Sequence, residues 1–159
     1  MTVTSVHKDP EARTMTLTAE FDASADRVWL LWADPRQLER WWGPPTHPAT
    51  VVEHDLRPGG TVSYFVIGPD GVQLPGWWRV LAVEAPRRLE FDLGDPNIPT
   101  VAVRVTVDER AGGGTRMVVE TAFPSTEAMD QLISIGFAEG MSAALDQIDD
   151  LLRADASPR

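Results

Sequence analysis

The sequence contains no cysteine. Disulfides, thiolate zinc sites and thiol nucleophiles are therefore excluded, and the expected setting is the cytoplasm. Lysine is nearly missing. Lys8 is the single one among 14 Lys+Arg, which reads as a compositional bias and not as a site. Against those stand 24 Asp+Glu, for a formal net charge of −10. That balance leaves no basic face for nucleic acid and repels anionic membrane surfaces. No apolar run approaches the roughly 18 residues of a membrane span, and the start "MTVTSVHKDPEARTM" has no signal-peptide core. There is no Gly-x-Ser-x-Gly and no acid pair at an interpretable spacing. "GGG" at 112–114 lacks the strand–loop–helix context of a phosphate loop. His47 and His54 do not have the spacing of a helical metal pair. Neither a metal nor a cofactor is expected.

What the chain does have is the material of one domain. Its 159 residues suffice to bury a core without staples. In "RTMTLTAEF", Met15, Leu17, Ala19 and Phe21 alternate with polar residues, which predicts a half-buried strand. Ser24 then caps a helix that ends before Pro35, and Asp34-Pro35 opens a second short helix ending at Trp42-Gly43. From Thr50 to Phe123 the pattern predicts six strands, linked mainly by tight turns such as "GPDG". Ser125 caps a long helix that runs to about Arg153, with Met129, Ile133, Phe137, Met141, Ala144, Ile148 and Leu151 as its apolar stripe. Residues 1–12 are polar and read as a flexible tail, 13–153 as the domain, and 154–159 as a second tail. The order predicts an α+β layout, an antiparallel sheet with helices on one face.

Several stretches in this order resemble a known family: "FDASADRVWLLWADPRQLERWWGP", "DLRPGG", "GPDG", "VEAPRRLEF" and "GFAEGMSAALDQIDDLL". Over roughly Thr14 to Leu152 the chain resembles the activator of Hsp90 ATPase homologue-like branch of the START/Bet v 1-like (SRPBCC) superfamily. The resemblance implies a helix-grip fold: a curved seven-stranded antiparallel sheet around a long C-terminal helix, with two short helices after the first strand. It also implies a cavity between sheet and helix that holds an apolar ligand.

Candidate site residues follow from that frame. Trp41 and Trp42 end the second short helix, where a ring either seals the open end of the sheet or lines a ligand mouth. Trp77 and Trp78 are neighbours in a strand and face opposite sides. The spacing leaves open which of the two is the inner one, with Trp78 carried as the site candidate; the inner one belongs to the core or the cavity, and the outer one leaves a homodimer contact open. Val62, Tyr64 and Val66 share a face that family alignment points inward. Tyr64, the single tyrosine, needs a hydrogen-bond partner there. His54 shares a face with Val52 and Leu56, and is either a satisfied core residue or a cavity group. Phe137 and Met141 present the facing helix. Arg79 and Arg104 read as outer-face residues, or as cavity cations if turned inward. Gly136, Gly140 and Ala144 form a small ridge that either packs tightly on the sheet or leaves room for a ligand.

Three functions fit. The first is non-catalytic binding of a small hydrophobic or aromatic molecule at Trp41, Trp42, His54, Val62, Tyr64, Trp78, Phe137 and Met141. The second is a cyclase- or aromatase-like cavity enzyme, as in superfamily relatives, using Tyr64, His54 and an inward arginine. The third is a protein-interaction or stress-response module. Regulation of Hsp90 is not the expected role, since full-length relatives use a separate N-terminal domain for it.

Overall fold

The computed structural model describes residues 3–42, 49–68, 70–96 and 98–156. Eight strands and four helices follow one another: β1 (Val3–Asp9), β2 (Thr14–Phe21), α1 (Ala25–Ala33), α2 (Pro35–Leu38), β3 (Ala49–His54), β4 (Thr61–Ile67), β5 (Gln73–Glu84), β6 (Arg88–Asp95), β7 (Ile98–Glu109), β8 (Thr115–Ala122), α3 (Thr126–Ser134) and α4 (Phe137–Ala156). The strands form one antiparallel sheet in the order β1-β2-β8-β7-β6-β5-β4-β3. With the long C-terminal helix this is the helix-grip arrangement. Among the described residues no helix is long and apolar enough to cross a membrane.

The sheet has eight strands instead of seven. The extra one is β1, from the segment read as a tail. It pairs with β2 from Asp9↔Thr14 to Val3↔Ala19, with a register shift between Val3 and Ser5. That shift hides the strand from a period-two reading. The turn into β2 is held by Ala12 N–H donating to Asp9 Oδ1 at 3.2 Å and by Arg13 at φ 56°.

Capping occurs where the sequence predicts it. Ser24 Oγ accepts from Arg27 N–H, Asp34 Oδ1 from Arg36 N–H, and Ser125 Oγ from Ala128 N–H. The C-terminal helix, however, is two helices. Ile135 N–H donates to Gln131 O, Gly136 N–H donates to Ile133 O, and Gly136 sits at φ +92°. A left-handed residue closes a helix and suits glycine. Gly140 N–H then returns to Gly136 O at 2.8 Å, opening α4. The buried stripe of the pair is Met129, Leu132, Ala138, Met141, Ala144, Leu145, Ile148 and Leu152, while Ile133, Phe137 and Leu151 are only half-buried.

The core lies between the sheet's inner face and the helices. β2 contributes Met15, Leu17, Ala19 and Phe21, and β7 contributes Val101, Val103, Val105 and Val107. Trp32 of α1 is fully buried and its indole N–H donates to Met117 Sδ at 3.2 Å. The opposite face is charged: Arg104 meets Glu90 and Glu120 across strands, and Arg79 is exposed. Neither arginine enters the interior.

Candidate functional site

The turn after α2 carries Trp41 and Trp42 into an aromatic cluster. Trp41 is fully buried and its indole N–H donates to Leu31 O at 2.8 Å. Trp32 contacts Trp41 edge-on with ring centroids 4.7 Å apart, and Trp42 contacts Trp78 at 5.1 Å and Tyr64 at 5.8 Å. Trp78 stacks on Phe91 at 4.1 Å and 15°. Three ties fix the segment. Glu39 accepts from Val51 N–H at 2.7 Å, Ala49 N–H donates to Trp42 O at 3.0 Å, and Gln147 of α4 donates to Trp41 O at 3.1 Å. Trp42 is thereby held at the inner edge of the cluster. The loop with His47 lies outside the described residues.

Beyond Trp42 the first half of α4 stands off the ends of β4, β5 and β6. The space between is an open cavity of about 420 Å³. Trp42, Tyr64, Leu93, Phe137 and Met141 form its apolar walls, with Gly140 and Ala144 on the helix side. Leu74 and Pro75 line the opening. Leu74 pairs with Val66 in the strand register and so lies on the inner face, yet it is 44% exposed. An inner-face leucine left wet marks a gap that protein does not fill. Gly140 agrees with this: a β-carbon there would meet nothing within 4 Å.

Tyr64 occupies its place because Gly76, its partner across the β4–β5 ladder, has no side chain. A β-carbon at Gly76 would stand 2.5 Å from Tyr64 Oη and 2.6 Å from Cζ. On the outer face Trp77 likewise lies over Gly94, its partner on β6, and remains 37% exposed. An aromatic ring thus covers a cross-strand glycine on each face. Burial pushes the Tyr64 hydroxyl up from 10.0 to about 12. The nearby Asp95 carboxylate adds to the rise, and the indole N–H groups of Trp42 and Trp78 oppose it. Of these two, the buried Trp78 N–H reaches hydrogen-bond geometry with no group among the described residues. The phenol is therefore neutral at physiological pH and can both donate and accept. Asp95, at the end of β6, is the one other ionisable group among the described residues that line the cavity.

Four of the residues expected at the site meet at this cavity: Trp42, Tyr64, Phe137 and Met141. The other four lie in the layer beneath. Trp41 and Trp78 are core, and Val62, which pairs with Trp78, is fully buried under the cluster. His54 does point inward, but for a different reason from the one expected. Val52 is 66% exposed, and the register shifts between Val51 and Glu53, which brings His54 to the side of Val51. Its Nε2–H donates to Trp32 O at 3.1 Å, at the end of α1 and away from the cavity. An imidazole so occupied is a tether between α1 and β3.

Leu74, Pro75, Leu93 and Asp95 are cavity residues that sequence reasoning does not find. β5 begins at Gln73, four residues before the expected Trp77. A proline inside a strand argues against one. Pro75 is tolerated because β6 pairs with β5 only from Trp77 onward, so residues 73–76 have a neighbour on one side alone.

The family model described as activator of Hsp90 ATPase homolog 1-like protein matches residues 22–153. Protein Ms6760 from Mycobacterium smegmatis is 46% identical, with 96% of this chain and 99% of that chain covered and a TM-score of 0.86. A protein from Arthrobacter aurescens is 42% identical over 98% of this chain and 95% of that one, with a TM-score of 0.91. CalU16 from Micromonospora echinospora is more distant, at 25% identity, 91% and 80% coverage and a TM-score of 0.61. No curated protein matches this chain.

Proposed function

The chain belongs to the activator of Hsp90 ATPase homolog 1-like family, and from that premise we propose that it binds a small hydrophobic or aromatic molecule in the cavity between α4 and the ends of β4–β6. The observation that carries this reading is the wet apolar wall, with inward-facing Leu74 exposed opposite Gly140. Folding normally closes such a gap, because a buried leucine is worth about 1.5–3 kcal/mol. A volume of about 420 Å³ falls in the range of small-molecule sites, roughly 300–1,000 Å³. The few polar groups, Tyr64 Oη and the Asp95 carboxylate, suit orientation of a ligand more than its fixation. A cytoplasmic ligand pool is part of the same proposal.

The test is titration with N-phenyl-1-naphthylamine, a neutral apolar fluorophore. Saturable one-to-one binding with quenching of tryptophan emission is expected, because Trp42 forms the wall. Replacing Leu74 by Asp should remove binding with little change in melting temperature, since Leu74 is already partly solvated. Equal binding by the Leu74→Asp variant, or none by the parent protein, sinks the proposal.

A further inference from the structure

The outer face of the sheet is divided in two. From β2 to β6 it is tiled with ion pairs: Arg116 meets Glu20 at 3.0 Å, Arg104 meets Glu120 at 4.0 Å and Glu90 at 3.8 Å, and Arg88 meets Glu90 at 2.7 Å. At β5 the tiling stops. The outward row of that strand is Trp77, Arg79 and Leu81, with Trp77 and Leu81 both exposed. Leu81 sits on this face beside Glu90, Ala102 and Arg104, and half-buried Phe65 continues the apolar surface on β4. Arg79 and Asp92 stand opposite each other across β5 and β6. Neither side chain has an ion-pair or hydrogen-bond partner among the described residues, although the other arginines of this face have theirs. The edges of the sheet offer no easier contact. β3 has a register shift between Val51 and Glu53, and β1 has one between Val3 and Ser5. Such irregularities discourage edge-to-edge pairing.

We infer that the outer face of β5 and β6 docks a second copy of this chain. A cation and an anion side by side, next to an exposed tryptophan, are their own complement. A two-fold axis in the plane of contact, running along the strands between β5 and β6, exchanges the two strand positions. It carries Arg79 onto the partner's Asp92 and Asp92 onto the partner's Arg79, the reciprocity that an isologous contact requires. The Trp77 ring lies over Gly94 of β6, so the same axis brings the two Trp77 rings together. The patch is small. Three strand gaps by seven residues make roughly 14 by 24 Å, less than half of the about 800 Å² per partner in a standard interface. The dimer is therefore weak and concentration-dependent, half-dissociated at about 0.1 mM. The contact lies on the side of the sheet away from the cavity and does not depend on ligand binding there.

Sedimentation equilibrium of the full chain, from about 0.02 to about 1 mM, reads the result. The average mass should rise from 17.5 kDa toward twice that value. Arg79→Asp sets carboxylate against carboxylate across the axis, and Asp92→Arg sets guanidinium against guanidinium. Each should weaken self-association by about tenfold or more. Melting temperatures should hold, since Arg79 is exposed and Asp92 only half-buried. An equimolar mixture of the two variants restores opposite charges on both sides of the axis. It should associate to within about threefold of the parent protein. A parent protein that stays at 17.5 kDa up to about 1 mM overturns the proposal and leaves this face to a different partner. Single variants that dimerise like the parent also overturn it, because Arg79 and Asp92 then serve each other within one chain or the contact lies elsewhere. A mixture that stays monomeric overturns the two-fold arrangement, since the losses in the single variants then have another cause.

Discussion

Gly76→Ala should close the cavity without unfolding the protein. The added β-carbon would stand 2.5 Å from Tyr64 Oη, whereas an ordinary contact is 3.4–4 Å. The phenol must therefore move by about 1 Å or more. Trp42, edge-on at 5.8 Å, blocks one side, and Trp42 is itself backed by Trp78 at 5.1 Å. The open direction is the cavity. The stability terms nearly cancel. Alanine for glycine stabilises by about 0.4–1 kcal/mol through the unfolded chain, since Gly76 does not need a left-handed φ. Loss of the Tyr64–Trp42 edge contact costs about 0.5–1.5 kcal/mol. The net change is about 1 kcal/mol or less, which shifts the melting temperature by at most about 2–4 °C at this size. Probe affinity, in contrast, should fall about tenfold or more. Thermal melts and fluorophore titration read the two effects separately. A double-mutant cycle with Tyr64→Ala isolates the cause: without the ring, Gly76→Ala should have no further effect on probe affinity. Full binding by Gly76→Ala would show that the ring does not bound the site. A collapse of the melt would show that the ring has nowhere to go.

Gly140→Leu should raise the melting temperature by about 2–4 °C, from about 1 kcal/mol of helix propensity, and weaken probe binding. Gly136→Ala, at φ +92°, should lower stability by about 1–2 kcal/mol in a urea titration. Ile148→Asp places a charge at a fully buried position and should abolish folding by circular dichroism, whereas Ile133→Asp, at a half-buried one, should leave a folded but weakened domain. Alkaline difference spectra should place the ionisation of the single tyrosine at about 12, against about 10 in denaturant. Between those values the unfolded chain has lost the proton that the folded one keeps, so stability should fall as pH rises from 10 to 12. A folded-state midpoint near 10 would mean that the phenol is solvated.

The parts of the fold that were legible in the sequence are those where one face is buried along the whole element. β2 alternates from end to end and β7 from Thr100 to Asp108, because those stretches rest on the core along their whole length. β1 has a register shift between Val3 and Ser5 and an exposed Val6, so no alternation survives in it. The joint at Gly136 was hidden by the apolar residues themselves. Met129, Ile133, Phe137 and Met141 recur every four residues, which suggests one uninterrupted stripe. At 3.6 residues per turn, however, each such step drifts about 40° around the axis. A strict four-residue stripe therefore cannot stay on one face of a straight helix for long. The left-handed glycine resets the phase: Met129 and Leu132 are buried before it, and Met141, Leu145, Ile148 and Leu152 after it, while Ile133 and Phe137 beside the joint are only half-buried.

The site was half legible for a related reason. That Tyr64 faces inward is readable from its own strand. That its ring lies flat enough to leave a cavity depends on Gly76 opposite, which is a fact of register and not of local sequence. Trp41 and Trp42 are chemically alike, and only the tight turn after Leu38 decides which reaches the wall and which is core. The cavity's position follows from strand lengths. β5 begins four residues before its first partner on β6, so Leu74 and Pro75 extend past the sheet's edge on one side. Opposite that overhang α4 presents Gly140, Ala143 and Ala144, which are too small to cross the space. An overhanging strand on one side and a small-faced helix on the other leave a void that no residue of either element can fill. Larger side chains at 140 or 143 would fill it, so this protein carries an open apolar site at a place where helix propensity alone would favour closing it.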